Sequence, residues 1–394
     1  MALALIAPAA AQASCVGDFG CPYTSVTSFP VTVSTQLNGL AVDRAGNVYS
    51  VDFITGTVYV YSSAGALVRQ FSTPGANPVD LAVNQAGTRL YVLNRSSSNV
   101  TVFDGAGKLV DTFGGQGSDP GELNQPLSIA LDPQGNVYVA DSSNDRVQKF
   151  RANGTFLAQS SSQFDAPLAL VVGAFQTLYV AQFDGVLRAP ELAFLDTSTL
   201  KQGATVPLPA AGLVQDITVT QIDDVFVSNQ LTAAIEEYEA SGVLYTYWGG
   251  QGTNLGQFGA ITGIAASGSN RVLALDIGNQ RVQVFTLAVS ARARPTAAAS
   301  RVTAAGVAPV TLACLTRGVA ACTGSVQLAA GGRAVTRSYS LRAGRRAVVR
   351  LRLPARVART VRRRGRLGAR LTVVTRRPGG RPRIHRSAHS LRAR

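Results

Sequence analysis

Ser128-Ile-Ala-Leu-Asp-Pro-Gln-Gly-Asn-Val-Tyr-Val-Ala-Asp141, followed by Asn144-Asp-Arg-Val-Gln-Lys-Phe150, decides the fold of this 394-residue chain. Short alternating runs rich in Val and Tyr flank a Gly-Asn pair, a pattern of strands and not of amphipathic helix. The Gly-Asn pair supplies the positive φ of a tight hairpin. Asp132, a few residues earlier, has the short polar side chain that closes such a turn. The unit recurs as Gly39-Leu-Ala-Val-Asp-Arg-Ala-Gly-Asn-Val-Tyr-Ser-Val-Asp52 with Val58-Tyr-Val-Tyr61. It recurs again as Arg271-Val-Leu-Ala-Leu-Asp276 with Asn279-Gln-Arg-Val-Gln-Val-Phe285. Three weaker copies lie between them. They are Asp80-Leu-Ala-Val-Asn84 with Leu90-Tyr-Val-Leu-Asn94, then Leu178-Tyr-Val-Ala-Gln182, then Asp216-Ile-Thr-Val-Thr220 with Val225-Phe-Val-Ser-Asn229.

The residue that closes the second strand of each copy serves as an anchor: Asp52, Asn94, Asp141, Gln182, Asn229 and Asp276. Successive anchors are 42, 47, 41, 47 and 47 residues apart. Periods in the forties with several short strands each are the spacing of a β-propeller. Small first-strand residues such as Leu40-Ala-Val suit the crowded centre of a radial array, and Tyr138 and Phe150 fall further out.

The pattern Ile-Ala-Val-Asp…Gly-Asn-Val-Tyr-Val-Ala-Asp…Asn-x-Arg-Val-Gln-x-Phe resembles the NHL repeat. The connectors Phe113-Gly-Gly-Gln-Gly-Ser-Asp-Pro-Gly-Glu-Leu123 and Trp248-Gly-Gly-Gln-Gly-Thr-Asn-Leu-Gly-Gln-Phe258 resemble its inter-blade loop. The resemblance covers roughly residues 36–287. It is strong in units one, three and six, and unit four lacks the Asn-x-Arg element. It implies an all-β chain with a six-bladed propeller over residues 15–287. Unit six ends without a fourth strand, whereas Tyr23–Val33 is strand-like and has no unit of its own. Pairing 23–33 with Val282–Leu287 would close the ring and remove both open edges.

The net charge of +15 hides a division. Residues 1–287 carry 12 Lys and Arg against 22 Asp and Glu, or −10; residues 288–394 carry 25 Arg and no acid, or +25. Such asymmetry marks two domains with different surfaces. By composition residues 288–300 read as a linker. Beyond them, strand-like runs at 310–314, 325–328, 335–341, 347–353 and 371–374 predict a small antiparallel β-sandwich over 301–394. This part is similar to Arg-rich, Cys-bridged C-terminal modules of secreted actinobacterial proteins.

Residues 1–14 form a short apolar run ending in Ala11-Gln12-Ala13, a cleavage signal for export. Its basic leader is missing, which points to a start upstream of Met1 or a truncated signal peptide. The four cysteines fall as two close pairs, Cys15 with Cys21 and Cys314 with Cys322, which read as local disulfides in an exported chain. The expected location is therefore secreted or cell-surface. No apolar run later in the chain is long enough to span a membrane.

No phosphate-binding loop, zinc-protease motif or nucleophile elbow occurs. The only histidines are His385 and His389, so the propeller offers none. That counts against propeller enzymes that use histidine, such as the virginiamycin B lyase and peptide-amidating lyase families. The leading expectation is a non-catalytic binding or scaffold protein that recognises an extracellular protein, peptide or glycan on one propeller face. The alternative is a metal-dependent, lactonase-like hydrolase or lyase acting in the mouth. The candidate ligand residues are Asp80 and Asp216, which begin the first strands of opposite units, with anchors Asp52, Asn94, Asp141, Asn229 and Asp276. No catalytic residue is assigned. No cofactor is expected beyond a divalent cation on the axis. The arginines would hold an anionic cell-envelope polymer. Nucleic acid is disfavoured, because Tyr339 is the sole aromatic after Phe285 and base stacking needs more.

Overall fold

The computed structural model describes residues 23–393 apart from stretches at 32–35, 76, 161–163, 174–176, 184–189, 209–212, 222–223, 239–243, 269, 289, 318–320 and 378–379. The leader assigned to 1–14 lies outside the described residues. The chain divides into two compact units, Met1–Leu287 and Ala288–Arg394.

The first unit is a six-bladed β-propeller, each blade a four-stranded antiparallel sheet. The first strands are Leu37–Val42, Pro78–Val83, Ser128–Leu131, Ala169–Val172, Val214–Val219 and Ile261–Ser267. They neighbour one another in that order, and the sixth returns to the first. Blades two and five are therefore diametrically opposed. Blades one to five are each built from consecutive strands, and the sixth takes its outer strand from the N-terminus. Tyr23–Pro30 pairs with Arg281–Leu287, with Val26 opposite Phe285 and Phe29 opposite Val282, the closure expected from the sequence.

Hairpin chemistry follows the repeat. Asp132 accepts the Asn136 N–H at 2.8 Å, its amide at 2.7 Å and the Tyr138 hydroxyl at 3.0 Å. Asp43 does the same for Asn47 and Tyr49. The intervening Gly135 and Gly46 have φ of 84° and 86°, a region costly to any residue with a Cβ. The core lies between blades. Tyr91, Leu93 and Val100 of the second, for example, pack on Ile129, Val137 and Phe150 of the third.

The second unit is a β-sandwich with more elements than the sequence reading gave it. One sheet has the order Ser290–Pro295, Val307–Arg317, Arg346–Arg352. The other runs Ala299–Arg301, Gly380–Arg392, Arg366–Arg377, Ala321–Ala330, Arg333–Arg342. The linker assigned to 288–300 is thus corrected: Ser290–Pro295 pairs along Leu312–Arg317, and Ala299–Arg301 runs parallel to Ser390–Arg392. Its Ala/Arg alternation has strand period, which composition alone concealed. A helix, Ala355–Arg364, was also unforeseen. It buries Val357, Ala358 and Val361 and ends at Gly365 in the left-handed region.

Of the two disulfides expected from cysteine spacing, one is seen among the described residues. The Cys314–Cys322 bridge is present, set in the core with Leu312, Val326 and Val373. The bridge expected between Cys15 and Cys21 is not seen, because Cys15 and Cys21 both lie outside the described residues. No described helix is long and apolar enough to cross a membrane.

Candidate functional site

The anchor of each blade lies at the end of its second strand, or in blade four one residue before it, with its side chain buried, and in blades three and six it is turned onto the connector that enters the blade. Asp141 accepts the Asn124 N–H at 2.7 Å through one oxygen. Its other oxygen accepts from Asn144 Nδ2, Arg146 Nε and Gln148 Nε2 at 2.9, 2.7 and 3.0 Å. Arg146 goes on to the carbonyls of Ser118, Asp119 and Glu122, which fastens the 114–125 loop. Asp276 repeats the arrangement with Gly259, Asn279, Arg281 and Gln283, and Arg281 fastens the 249–260 loop.

The other blades vary this pair in a way that charge explains. The residues opposite the anchors Asn94, Gln182 and Asn229 are Asn99, Glu191 and Ala234. Where the arginine is lost, these three anchors are neutral amides, since an unpaired buried carboxylate is costly. Gln182 donates to Glu191, the reverse of the Asp–Arg polarity. Asp52 departs from this pattern, a carboxyl that accepts the N–H groups of Ile54 and Thr55, each at 2.8 Å.

Asp80 and Asp216 stand elsewhere, on the axis. A cavity of about 410 Å³ opens there and is lined by residues from all six blades, including Gly39, Asp80, Ser128, Ala169, Asp216 and Thr262. Phe53, Arg95 and Phe183, each next to an anchor, also line it, so this mouth opens on the anchor face. A narrower space of about 230 Å³ continues between the first strands. Asp80 and Asp216 line both spaces and are the sole carboxylates in either among the described residues.

Each axial carboxylate also ties its blade to the next. Asp80 accepts the Ile129 N–H and the Ser128 hydroxyl at 2.9 Å, and its own neighbour Leu81 N–H at 2.8 Å. Asp216 accepts the N–H of Ile264 at 2.8 Å and of Ile217 at 2.7 Å. Ser128 does the same work between blades three and four, accepting the Leu170 N–H at 3.2 Å. Both aspartates keep an open side toward the lumen, each being half-buried.

Burial pushes the Asp80 carboxyl up to about 6, against the pull of its three hydrogen bonds. Asp216 is raised well above the usual range, first by burial and then by the negative charge of Asp80. Two facing carboxylates oppose each other's ionisation unless something positive lies between them.

The mouth has features that the repeat did not announce. Its wall is mixed: Phe53, Leu127, Leu168, Phe183 and Leu213 share it with Gln36, Asn38, Gln215 and Thr262. Leu127 and Leu168 immediately precede first strands, and Phe53 and Phe183 immediately follow anchors, so position within the repeat could have found them. Among the described residues the one cation of the lining, Arg95, is held by Gln125 at 3.0 Å. Ile54 and Leu231, each two residues after an anchor, are 66% and 76% exposed. Their N–H groups are held by the Asp52 and Asn229 side chains.

A family model described as NHL repeat matches residues 123–150. NHL repeat-containing protein 3 of Homo sapiens is 33% identical over 112 residues, 25% of this chain and 32% of that protein. Its Mus musculus counterpart is 33% identical over 108 residues, covering 24% and 31%. The chain thus matches about a third of the length of these curated relatives. Among solved structures, virginiamycin B lyase from Staphylococcus aureus aligns with a TM-score of 0.50 at 11% identity, over 67% of this chain and 99% of that one. At that identity the likeness concerns the fold alone. The chain carries an NHL repeat within a six-bladed propeller, an architecture suited to binding and scaffolding.

Proposed function

We propose that this protein is a secreted or cell-surface recognition module whose propeller mouth takes a basic side chain of a protein or peptide partner. The observation that carries the reading is the mouth itself. Two lumen-facing carboxylates sit in a cavity whose wall includes Phe53, Leu127, Leu168, Phe183 and Leu213, and the exposed Ile54 and Leu231 follow the anchors Asp52 and Asn229 in sequence. A lysine or arginine has the matching shape, a charged tip on an apolar stem. The exposed aliphatic residues favour a polypeptide over a glycan, since sugars present few apolar groups. The Cys314–Cys322 bridge supports an oxidising compartment. The anchors hold the loops and turns that frame the mouth, and the arginine-rich domain attaches to an anionic polymer of the cell envelope.

The metal-dependent alternative finds less support. Calcium takes six to eight oxygen ligands, and among the described residues no group of three or more His, Cys, Asp or Glu is arranged to hold an ion. A single ammonium or guanidinium suits a pair of carboxylates better.

Panning a phage-displayed random peptide library on the full-length protein tests the reading. Enriched peptides are expected to carry Lys or Arg beside an apolar residue. An Asp80→Asn/Asp216→Asn variant, confirmed folded by circular dichroism, should capture them at least tenfold less well. Equal capture by the variant, or enrichment without basic residues, would refute the assignment.

A further inference from the structure

The outer face of the five-stranded sheet in the C-terminal domain carries an unusual row. Arg392 lies opposite Arg301 on one side and opposite Arg366 on the other. Directly paired residues project to the same face, so three guanidinium groups leave adjacent strands side by side. Neighbouring strands are about 4.8 Å apart. All three arginines are exposed. Four residues along from Arg366 stands Arg370, opposite Ala388, and Arg386 follows on the next strand opposite Thr372. Both are exposed and project from the same face.

Like charges directly opposite each other destabilise a sheet. Here nothing within the domain relieves them, because residues 288–394 contain no Asp or Glu. Among the described residues none of the five arginine side chains makes a hydrogen bond or an ion pair, and both salt bridges lie in the propeller. Five free guanidinium groups on one face are a site whose counter-charge must come from outside the domain. A row of forks at strand spacing fits a linear polymer with closely repeated oxyanions, since each guanidinium can bind a carboxylate or sulfate in bidentate fashion.

The rest of the same face indicates what kind of polymer. Beside the arginines, the outward positions of the neighbouring strands are small or hydroxyl-bearing, with Ala329, Ala334, Thr336 and Ser338 among them, plus the amide of Gln327. Small side chains permit close approach, and hydroxyl and amide groups pair with sugar hydroxyls. The domain's one aromatic residue, Tyr339, is buried, with its hydroxyl near Thr375 at 2.8 Å. It offers no platform for a base.

We infer that the Arg301–Arg392–Arg366 row, extended by Arg370 and Arg386, binds an acidic polysaccharide along the outer face of this sheet. The inference rests on the reading of the domain as a polyanion-attachment module and gives that module a location and a ligand class.

The test uses the full-length protein and heparin as the probe, an acidic glycan bearing sulfates and carboxylates. One variant carries Arg301→Gln, Arg366→Gln and Arg392→Gln. A second carries Arg346→Gln, Arg350→Gln and Arg352→Gln, three exposed arginines of the other sheet, and loses the same net charge. The row variant should lose at least tenfold in heparin affinity at 0.1 M salt, and the control less than threefold. The row variant's melting temperature should hold or rise, because like-charge repulsion is removed. Equal losses in the two variants would overturn the row while leaving a diffuse polyanion surface. Failure of the wild type to bind heparin at low salt would overturn both. Tighter binding to a single-stranded DNA of equal length and charge would overturn the polysaccharide assignment.

Discussion

Removal of residues 23–31 is expected to abolish the cooperative melting transition of the propeller. This strand supplies the outer edge of blade six from the other end of the unit, and it packs on both sides of the seam. Tyr23 meets Trp248 of blade five with ring centroids 5.8 Å apart and Phe285 of blade six at 5.0 Å. Phe29 meets Tyr61 of blade one at 5.8 Å. Tyr23, Val26, Phe29 and Val31 are all at least nine-tenths buried. Burial of each such side chain contributes about 1.5–3 kcal/mol. Four together approach the whole stability of a typical domain, about 5–15 kcal/mol. Deletion also bares the edge of Arg281–Leu287 to pairing with other chains. A milder variant, Tyr23→Ala/Phe29→Ala, should lose about 3–5 kcal/mol per site. Denaturant melts of both variants check the prediction, and an unchanged midpoint in either would contradict strand exchange as the means of closure.

Arg281→Ala should destabilise the propeller by about 3–5 kcal/mol, the usual cost of orphaning a buried charge. Asp276 is wholly buried, and Arg281 Nε lies 2.9 Å from its carboxylate. The same guanidinium holds the carbonyls of Asn254 and Gln257, so its loss also frees the 249–260 loop. The variation among blades implies a partial rescue. Blade five combines an Asn anchor with an alanine opposite, at Asn229 and Ala234. Arg281→Ala/Asp276→Asn should therefore be more stable than Arg281→Ala alone, by more than about 1 kcal/mol. Urea titration of the wild type, both single variants and the double variant in a double-mutant cycle gives the coupling directly. Additive losses would mean that the two residues act independently.

What the sequence revealed follows from how strictly each element obeys the repeat. Units one, three and six could be read residue by residue, because Asp–Gly-Asn turns and Asp–Arg–Gln clamps each require particular side chains. The N-terminal strand was found by counting, since unit six lacked a partner. Unit four blurred because Gln182 and Glu191 exchange the polarity of the clamp, which a motif cannot express. In the C-terminal domain, Ala355–Arg364 falls between the strand-like runs at 347–353 and 371–374 and has no strand period. Its helix signals were present nonetheless, in the spacing of Val357, Ala358 and Val361, the preceding Pro354 and the closing Gly365. The axial placement of Asp80 and Asp216 followed from ring arithmetic. Their hydrogen bonds to the next blade did not, because backbone contact between blades has no sequence pattern. Those bonds give the carboxylates a structural duty beside the proposed binding role, and they fix the carboxylate positions before any ligand arrives.

The axial pair also sets a pH dependence. Both carboxyls titrate above an unfolded aspartate, near 4, so the folded protein retains a proton that the unfolded chain gives up. Stability from this source falls as pH rises from about 4 through about 6, the folded value for Asp80. A cationic group between the carboxylates offsets that loss.

Titration of the aspartate side-chain carboxyls by carbon-detected NMR, with and without N-acetyl-lysine methylamide, tests the proposed mouth most directly. Resonances assigned by Asp80→Asn and Asp216→Asn should move in coupled steps, with apparent values raised above an ordinary aspartate. Saturating lysine derivative should lower both values, while N-acetyl-norleucine methylamide, of the same shape without the charge, should leave them in place. Ordinary values in the free protein, or values that the lysine derivative does not lower, would contradict a cation-binding mouth.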